Sequence, residues 1–264
     1  MGPINDELGV EQGGVNSSDY YKTYNNEQLS VPQETDLGVF LGDVHVAAIG
    51  QADDTVLVSD EIYKLKFLLN LTLQYCDKYH VELSADKTKL QLYVPTGYSL
   101  DSACLKASSS LSINDVEVKY VDTTEHVGIV RSIDGNLPHI LQRLSSHNKA
   151  LHSVLSAGLA KGHRGNPAAA LRVEQLYGVP VLMSGTAALV LKATEESVIQ
   201  THYKRKLESL QKLHDKTPEA VVFFLAGSLP ESAHLHLKQL SLFSMITRLP
   251  HNILNTIARY VHTT

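Results

Sequence analysis

The most constraining feature of the sequence is a pair of adjacent acids, Asp53 and Asp54, between two short apolar segments. Residues 44–49 and 56–59 are rich in Val, Ile and Ala, and each is short enough to form one strand. The pattern predicts a tight hairpin with both acids at its tip. Adjacent carboxylates repel each other unless a cation lies nearby, and a divalent metal ion fills that role in phosphate chemistry. A solvated Asp-Asp turn is the alternative interpretation.

The composition is typical of a folded protein with a buried core. The chain has 264 residues, of which 43% are hydrophobic, enough for one large domain or two smaller ones. Its two cysteines, Cys76 and Cys104, are too few for a disulfide framework or a zinc cluster. We therefore expect an intracellular protein, in either the nucleus or the cytoplasm. No apolar run approaches membrane-spanning length, so we expect no membrane partner.

Charge is divided unevenly along the chain. Residues 1–135 carry 9 lysines and arginines against 21 aspartates and glutamates, whereas residues 136–264 carry 14 against 7. Ten of the 13 histidines also lie in the second part, so its positive charge grows as the pH falls. An acidic part joined to a basic part is compatible with a protein that handles polyanions, although proteins without nucleic-acid partners also segregate charge.

The spacing of apolar residues in the first part predicts strands together with amphipathic helices. From Ile62 to Tyr79 the apolar residues recur at intervals of three and four, which indicates a helix. Asn114 and Asp115 separate two short apolar segments, as the turn residues of a hairpin do. The first part is therefore expected to combine antiparallel strands with packed helices.

The second part has helical spacing almost to its end. Helical periodicity begins at Leu137, and the chain is expected to break at Pro180. These patterns predict an α+β fold over residues 1–131, followed by an all-helical region over residues 132–264.

Four short motifs occur along the chain in a fixed order. They are Gly9-Val10-Glu11-Gln12-Gly13-Gly14, Ala52-Asp53-Asp54, Lys87-Thr88-Lys89 and His126-Val127-Gly128. In these motifs and their order, the chain resembles the reverse transcriptases of non-LTR retrotransposons. The resemblance covers residues 9–130, and the helical remainder lies where such enzymes carry the thumb. It implies a palm-like antiparallel sheet with packed helices, followed by a thumb-like helical region.

The resemblance implies an RNA-directed DNA polymerase that transfers nucleotides with two divalent ions, Mg²⁺ or Mn²⁺. Asp53 would bind the ions, and Asp54 would act as the secondary carboxylate of the site. Lys87 or Lys89 would lie near the triphosphate and donate a proton to the leaving group. A solvated loop is the alternative interpretation of the two lysines.

The same resemblance implies an RNA template, a DNA primer and a deoxynucleoside triphosphate as partners. The residues implied in nucleotide and template binding are Gln12, Gly13, Gly14 and Gln51. The two glycines would let the backbone approach the template base and the nucleotide, where a Cβ would collide. The segment His126-Val127-Gly128 resembles the primer grip, with an ordinary strand end as the alternative.

The basic second part admits two interpretations. Thumb helices follow the template–primer duplex in this family, so basic side chains here would contact phosphates. The candidates are Arg143, Lys149, Lys161, Arg164, Lys204, Arg205 and Lys206. The alternative is a solvated helical surface, which is what runs of charge usually form.

Several residues depart from the family pattern. Gln51 and His126 stand where the family usually has aromatic residues, and only eight residues precede Gly9. Another essential metal-binding aspartate, and the fingers, lie upstream of the glycine motif in the family. We therefore expect a polymerase fragment that is inactive by itself and needs the missing upstream part. A non-catalytic module that binds nucleic acid or protein, or a decayed relic, is the alternative.

Overall fold

The computed structural model describes residues 16–94, 111–154, 156 and 166–248. Helices and short strands occur together, so the chain is α+β, as predicted. It forms two compact units that divide between Val121 and Asp122. The sequence placed the boundary after residue 131. The structure assigns residues 123–132 to the helical unit instead, because that hairpin packs against the helix that follows it.

The first unit contains two helices and eight short strands among its described residues. They are α1 (Ser17–Gln33), β1 (Val39–Leu41), β2 (Val44–Val46), β3 (Ala48–Gln51), β4 (Asp54–Leu57), α2 (Ile62–Tyr79), β5 (Lys89–Leu90), β6 (Ser112–Ile113), β7 (Val116–Glu117) and β8 (Lys119–Tyr120). The helix predicted from apolar spacing is confirmed as α2.

Two antiparallel hairpins follow α1. β1 pairs with β2 across Gly42 and Asp43, and β3 pairs with β4 across a second tight turn. The sequence predicted one strand over residues 44–49, and this prediction is wrong in one respect. The chain bends at the fully buried Ala47, so β2 completes the first pair and β3 begins the second.

The remaining strands of this unit build a small core with α2. β6 and β7 form the predicted hairpin, and both of its turn residues, Asn114 and Asp115, have positive φ angles. β5 pairs with β8 in parallel, so the pairing in this unit is not purely antiparallel. The buried apolar residues of this core are Leu69, Leu90, Leu111, Ile113 and Val118.

Tyrosines hold α1 against α2. The Tyr24 hydroxyl donates to the Tyr79 carbonyl oxygen at 2.7 Å, and the Tyr75 hydroxyl donates to the Tyr24 carbonyl oxygen at 2.8 Å. Lys78 pairs with Glu27 at 2.7 Å, with Lys78 Nζ also 4.7 Å from the Tyr79 ring centre. These contacts fix the position of α1, which also packs on β3.

The second unit is a helical bundle preceded by one hairpin. Its described elements are β9 (Thr123–His126), β10 (Ile129–Ser132), α3 (Leu137–Val154), α4 (Pro167–Val173), a π turn (Glu174–Gly178), α5 (Val179–Leu182), a 3₁₀ turn (Thr186–Ala188), α6 (Ala193–Gln211), α7 (Glu219–Ala226) and α8 (Glu231–Arg248). None of the helices in the described residues has the length and apolarity needed to cross a membrane.

The predicted break at Pro180 is wrong. The chain runs from α4 through the π turn into α5 without leaving helical conformation. Pro180 lies in the first turn of α5, where the missing backbone N–H of proline is tolerated. A π turn is rare in proteins and often occurs at functional positions.

The core of the second unit is apolar, with buried polar groups among its helices. Its buried apolar members are Ile140, Val179, Leu182, Met183, Ile199, Tyr203, Leu207, Val222, Phe223 and Ala226. The fully buried His139 bridges two elements. Its Nδ1 accepts from the Val130 N–H at 3.2 Å, and its Nε2 lies 3.1 Å from the Ser184 carbonyl oxygen. Nε2 therefore carries the proton, and burial lowers the pKa of this histidine.

Candidate functional site

The two adjacent acids lie at the tip of a hairpin, as predicted. Gln51 of β3 pairs with Asp54 of β4, which leaves Ala52 and Asp53 as the two turn residues. Asp53 is therefore in the turn itself, whereas Asp54 is the first residue of β4. Both side chains are exposed, and so is that of Gln51.

Ala52 adopts a left-handed backbone conformation, with φ of 53°. This conformation costs a residue with a Cβ about 1–2 kcal/mol, and glycine is the usual residue at such a turn position. A strained position that persists next to a candidate ligand is an observation from which a functional role can be inferred. Here the strained residue directly precedes Asp53.

Helix α1 lies against this hairpin and brings a phenol towards the tip. A Cβ on Gly50 of β3 would lie 2.7 Å from Cδ1 of Leu29, so the glycine permits close packing of α1. Burial raises the pKa of Tyr21 on α1, and the Asp53 carboxylate raises it further. The sequence did not reveal Tyr21, because helical spacing aligns Tyr20 and Tyr24 on one face without placing the helix on the sheet.

Two carboxylates are fewer ligands than a two-metal site needs. Among the described residues, no group of three or more His, Cys, Asp and Glu side chains is arranged to hold a metal ion. Asp53 and Asp54 fit a partial oxygen-ligand set for Mg²⁺ or Mn²⁺. No described cluster of side chains completes this ligand set.

Of the two predicted lysines, Lys89 is the first residue of β5, and Lys87 lies two residues before it. Lys87 belongs to the turn closed by the Thr88 N–H and the Ser84 carbonyl oxygen at 3.0 Å, and it is exposed. Lys89 is also exposed and stands opposite Lys119 in the parallel β5–β8 pair. Like charges in direct opposition are unfavourable without a nearby anion. The sequence could not reveal Lys119, because parallel pairing brings distant residues together.

The hairpin and the lysine turn belong to different small sheets that share a core. Leu57 of β4 packs against the apolar cluster that contains Leu90 of β5. The acids of the hairpin and the lysines therefore lie on elements of one packed unit. Gln12, Gly13 and Gly14, also predicted as site residues, lie outside the described residues.

The segment His126-Val127-Gly128 forms the turn of the β9–β10 hairpin. His126 pairs with Ile129, and the turn residues Val127 and Gly128 have φ angles of 52° and 72°. A β-branched residue is a marked outlier in this conformation. Val127 is 56% exposed despite its apolar side chain. The segment is thus a tight turn in the second unit, and its role as a primer grip stays a prediction.

The predicted basic residues that the structure describes differ in direction and exposure. Lys204, Arg205 and Lys206 are consecutive on α6, and successive helical residues point about 100° apart. Lys204 pairs with Glu208 at 3.5 Å, whereas Arg205 is exposed. Arg143 is half-buried and donates to Gln142, while Lys149 is exposed. Lys161 and Arg164 lie outside the described residues.

No protein-family model, no curated protein and no solved structure matches this chain. The assignment of its sites therefore depends on the sequence motifs and on the geometry of the side chains.

A second polar cluster lies inside the helical unit, and the sequence did not predict it. His147 on α3 lies between Glu174 of the π turn and His202 on α6. These residues are far apart in sequence and belong to no recognised motif. A periodicity signal would have assigned His147 to the buried face of α3 without indicating its partners.

Proposed function

We propose that this chain is a fragment of an RNA-directed DNA polymerase, in which the β3–β4 hairpin presents part of a two-metal site. The observation that carries the proposal is a two-residue turn that places Asp53 at its tip, with Asp54 beside it at the start of β4. α1 packs on β3 and α2 packs on β4, so helices support the hairpin that presents the acids. Palm-like and thumb-like roles for the two units belong to this proposal.

Each residue has a defined role in the proposed reaction. Asp53 would bind Mg²⁺ or Mn²⁺, and Asp54 would support that coordination. Lys87 or Lys89 would neutralise the triphosphate of the incoming nucleotide and protonate the leaving pyrophosphate. Lys89 and Lys119 stand opposite each other in the β5–β8 pair, and an anion bound near them would reduce their mutual repulsion.

The fragment is proposed to be inactive by itself. Two metal ions need more carboxylates than Asp53 and Asp54 supply, and the described residues contain no group of three or more side chains arranged to hold a metal ion. The full-length chain is therefore expected to give no primer extension on an RNA template with Mg²⁺ or Mn²⁺. Extension that disappears in an Asp53→Ala variant would contradict this expectation.

Metal binding by the hairpin is tested separately from activity. Mn²⁺ broadens NMR signals of nearby nuclei, so we expect selective broadening of the amides of residues 51–54 in the full chain. The effect should disappear in an Asp53→Asn, Asp54→Asn double variant. Asp43→Asn is a matched control, because Asp43 is an exposed acid in the turn of the neighbouring β1–β2 hairpin. Equal broadening at both hairpin turns would refute a specific metal site.

A second candidate function is nucleic-acid binding without catalysis. The observation that favours it is the exposure of Lys149 on α3 and Arg205 on α6, in the part of the chain with excess positive charge. Retention on an RNA·DNA hybrid should fall with rising salt and weaken in a Lys149→Gln, Arg205→Gln variant. Lys216→Gln is the control, since Lys216 is exposed in the loop before α7. Equal retention of all three proteins would argue for a solvated surface.

A further inference from the structure

Two histidines and a glutamate form a continuous hydrogen-bonded array inside the second unit. His147 Nε2 lies 2.9 Å and 3.2 Å from the two carboxylate oxygens of Glu174. His147 Nδ1 lies 2.9 Å from Nε2 of His202. His147 and Glu174 are fully buried, while His202 is half-buried. The array, defined as Glu174, His147 and His202, therefore connects the π turn, α3 and α6.

The π turn leaves space for this carboxylate. A Cβ on Gly178, at the end of the π turn, would lie 2.1 Å from Oε2 of Glu174. Any larger residue at this position would displace the carboxylate from its place beside His147. A glycine is therefore needed at position 178 because it leaves room for the carboxylate. Its backbone lies in the ordinary helical region, so the conformation itself does not require glycine.

The number of ring protons decides whether the array is stable. Glu174 in its ionised form accepts only, so His147 must donate its Nε2–H to it. The contact between His147 Nδ1 and His202 Nε2 then holds one proton, which either ring can donate to the other. Doubly protonating one of the two rings is compatible with this contact. If both rings are doubly protonated, two N–H groups face each other across the 2.9 Å separation, and two cations lie side by side.

We propose that the array is an acid-sensitive contact that joins α6 to α3 and to the π turn near neutral pH and is broken in acid. Burial lowers the pKa of His202 to about 4, and the positive charge of His147 contributes. The inference is independent of the proposed polymerase function. Ten of the 13 histidines of the chain lie within residues 136–264.

Two basic side chains on the helix of His202 act in the same direction as burial. The other charged or titratable groups on the elements around the array are His139, Arg143, Lys149 and His152 on α3, Arg172 on α4, Tyr177 in the π turn, Glu195, Glu196, Tyr203, Lys204, Arg205, Lys206 and Glu208 on α6, Glu219 on α7, and Glu231, His234, His236, Lys238 and Arg248 on α8. Lys206 and Arg205 oppose protonation of His202. Glu174 is the carboxylate of the array, and Glu219 on α7 is bound by the amide of Gln200 at 2.7 Å. An imidazolium at His202 would therefore be opposed by the positive charges of His147, Lys206 and Arg205.

The test compares urea unfolding of the full chain with that of a His202→Gln variant at pH 7.5 and pH 5. A glutamine amide can donate to His147 Nδ1 through its nitrogen or accept from it through its oxygen, but it does not titrate. The quantity measured is the ratio of the unfolding constant of the parent to that of the variant. From a pKa of 6.5 in the unfolded chain and about 4 in the folded one, this ratio should rise on the order of 25-fold between pH 7.5 and pH 5.

His152→Gln provides the matched control, because His152 lies on α3, the helix that carries His147, but is exposed. Its ratio should not change with pH. A parent-to-variant ratio for His202→Gln that is equally independent of pH would overturn the proposal. If this variant does not fold, ¹⁵N NMR titration of the parent ring nitrogens decides the question. A midpoint for His202 below pH 5 supports the acid-sensitive contact, and a midpoint of 5 or above overturns it.

Discussion

Replacing the buried Glu231 by glutamine should stabilise the second unit at alkaline pH. Glu231 begins α8 and is 1% exposed, and its Oε1 has no hydrogen-bond partner among the described residues. Glu196 on α6 and Glu219 on α7 add negative charge around it. Burial, followed by these two carboxylates, raises the pKa of Glu231 to about 7 from its ordinary 4.5.

The magnitude follows from the difference between these two pKa values. A tenfold change in an equilibrium constant corresponds to about 1.4 kcal/mol, so the fully ionised carboxylate costs the folded state about 3 kcal/mol above pH 7. Because the folded-state pKa is raised, stability is fully present below pH 4.5 and is lost as the pH rises through 7. Between pH 5 and pH 8, this one group should remove about 2–3 kcal/mol of stability.

Urea unfolding of the full chain and of Glu231→Gln at pH 5 and pH 8 measures the effect. The stability difference between variant and parent should grow in favour of the variant by about 2–3 kcal/mol from pH 5 to pH 8. The comparison is made between proteins at each pH, because His202 titrates in an overlapping range with the opposite sign. A difference that does not change with pH would refute the inference that Glu231 is protonated when buried.

Two further substitutions test local features of the fold. Gly178→Ala should destabilise the second unit by about 3 kcal/mol, because the alanine Cβ would displace the Glu174 carboxylate from His147. Urea unfolding at pH 7.5 measures the loss of stability. An unchanged unfolding midpoint would contradict this close packing. Ala52→Gly should stabilise the first unit by about 1 kcal/mol, because glycine adopts the left-handed turn conformation without strain. Hydrogen exchange of the β3–β4 amides should slow in this variant, and faster exchange would show that Ala52 is not strained.

Local structure was largely predictable from the sequence. Apolar spacing located α2, and the acids between two β-branched segments located the β3–β4 hairpin. Asn114 and Asp115 likewise predicted their turn. These features depend on residues a few positions apart, whose backbone preferences and side-chain periodicity are readable directly from the chain.

Predictions failed where neighbours along the chain pack against different partners. Ala47 divides one apolar segment between two hairpins, and its own identity gives no sign of this. Pro180 was expected to end a helix, but it lies in the first turn of the next one. The β9–β10 hairpin was assigned to the strand-rich part, whereas packing against α3 places it in the second unit.

The sequence by itself determined which short segments become helices and hairpins and where the chain carries its acids and histidines. Tertiary structure alone decided which of these polar groups meet in the interior. His147, Glu174 and His202 become partners because α3, the π turn and α6 pack together. Glu231 becomes a buried acid because α8 packs on α6. Burial and neighbouring charge set the pKa of such groups, and both come from contacts between distant parts of the chain.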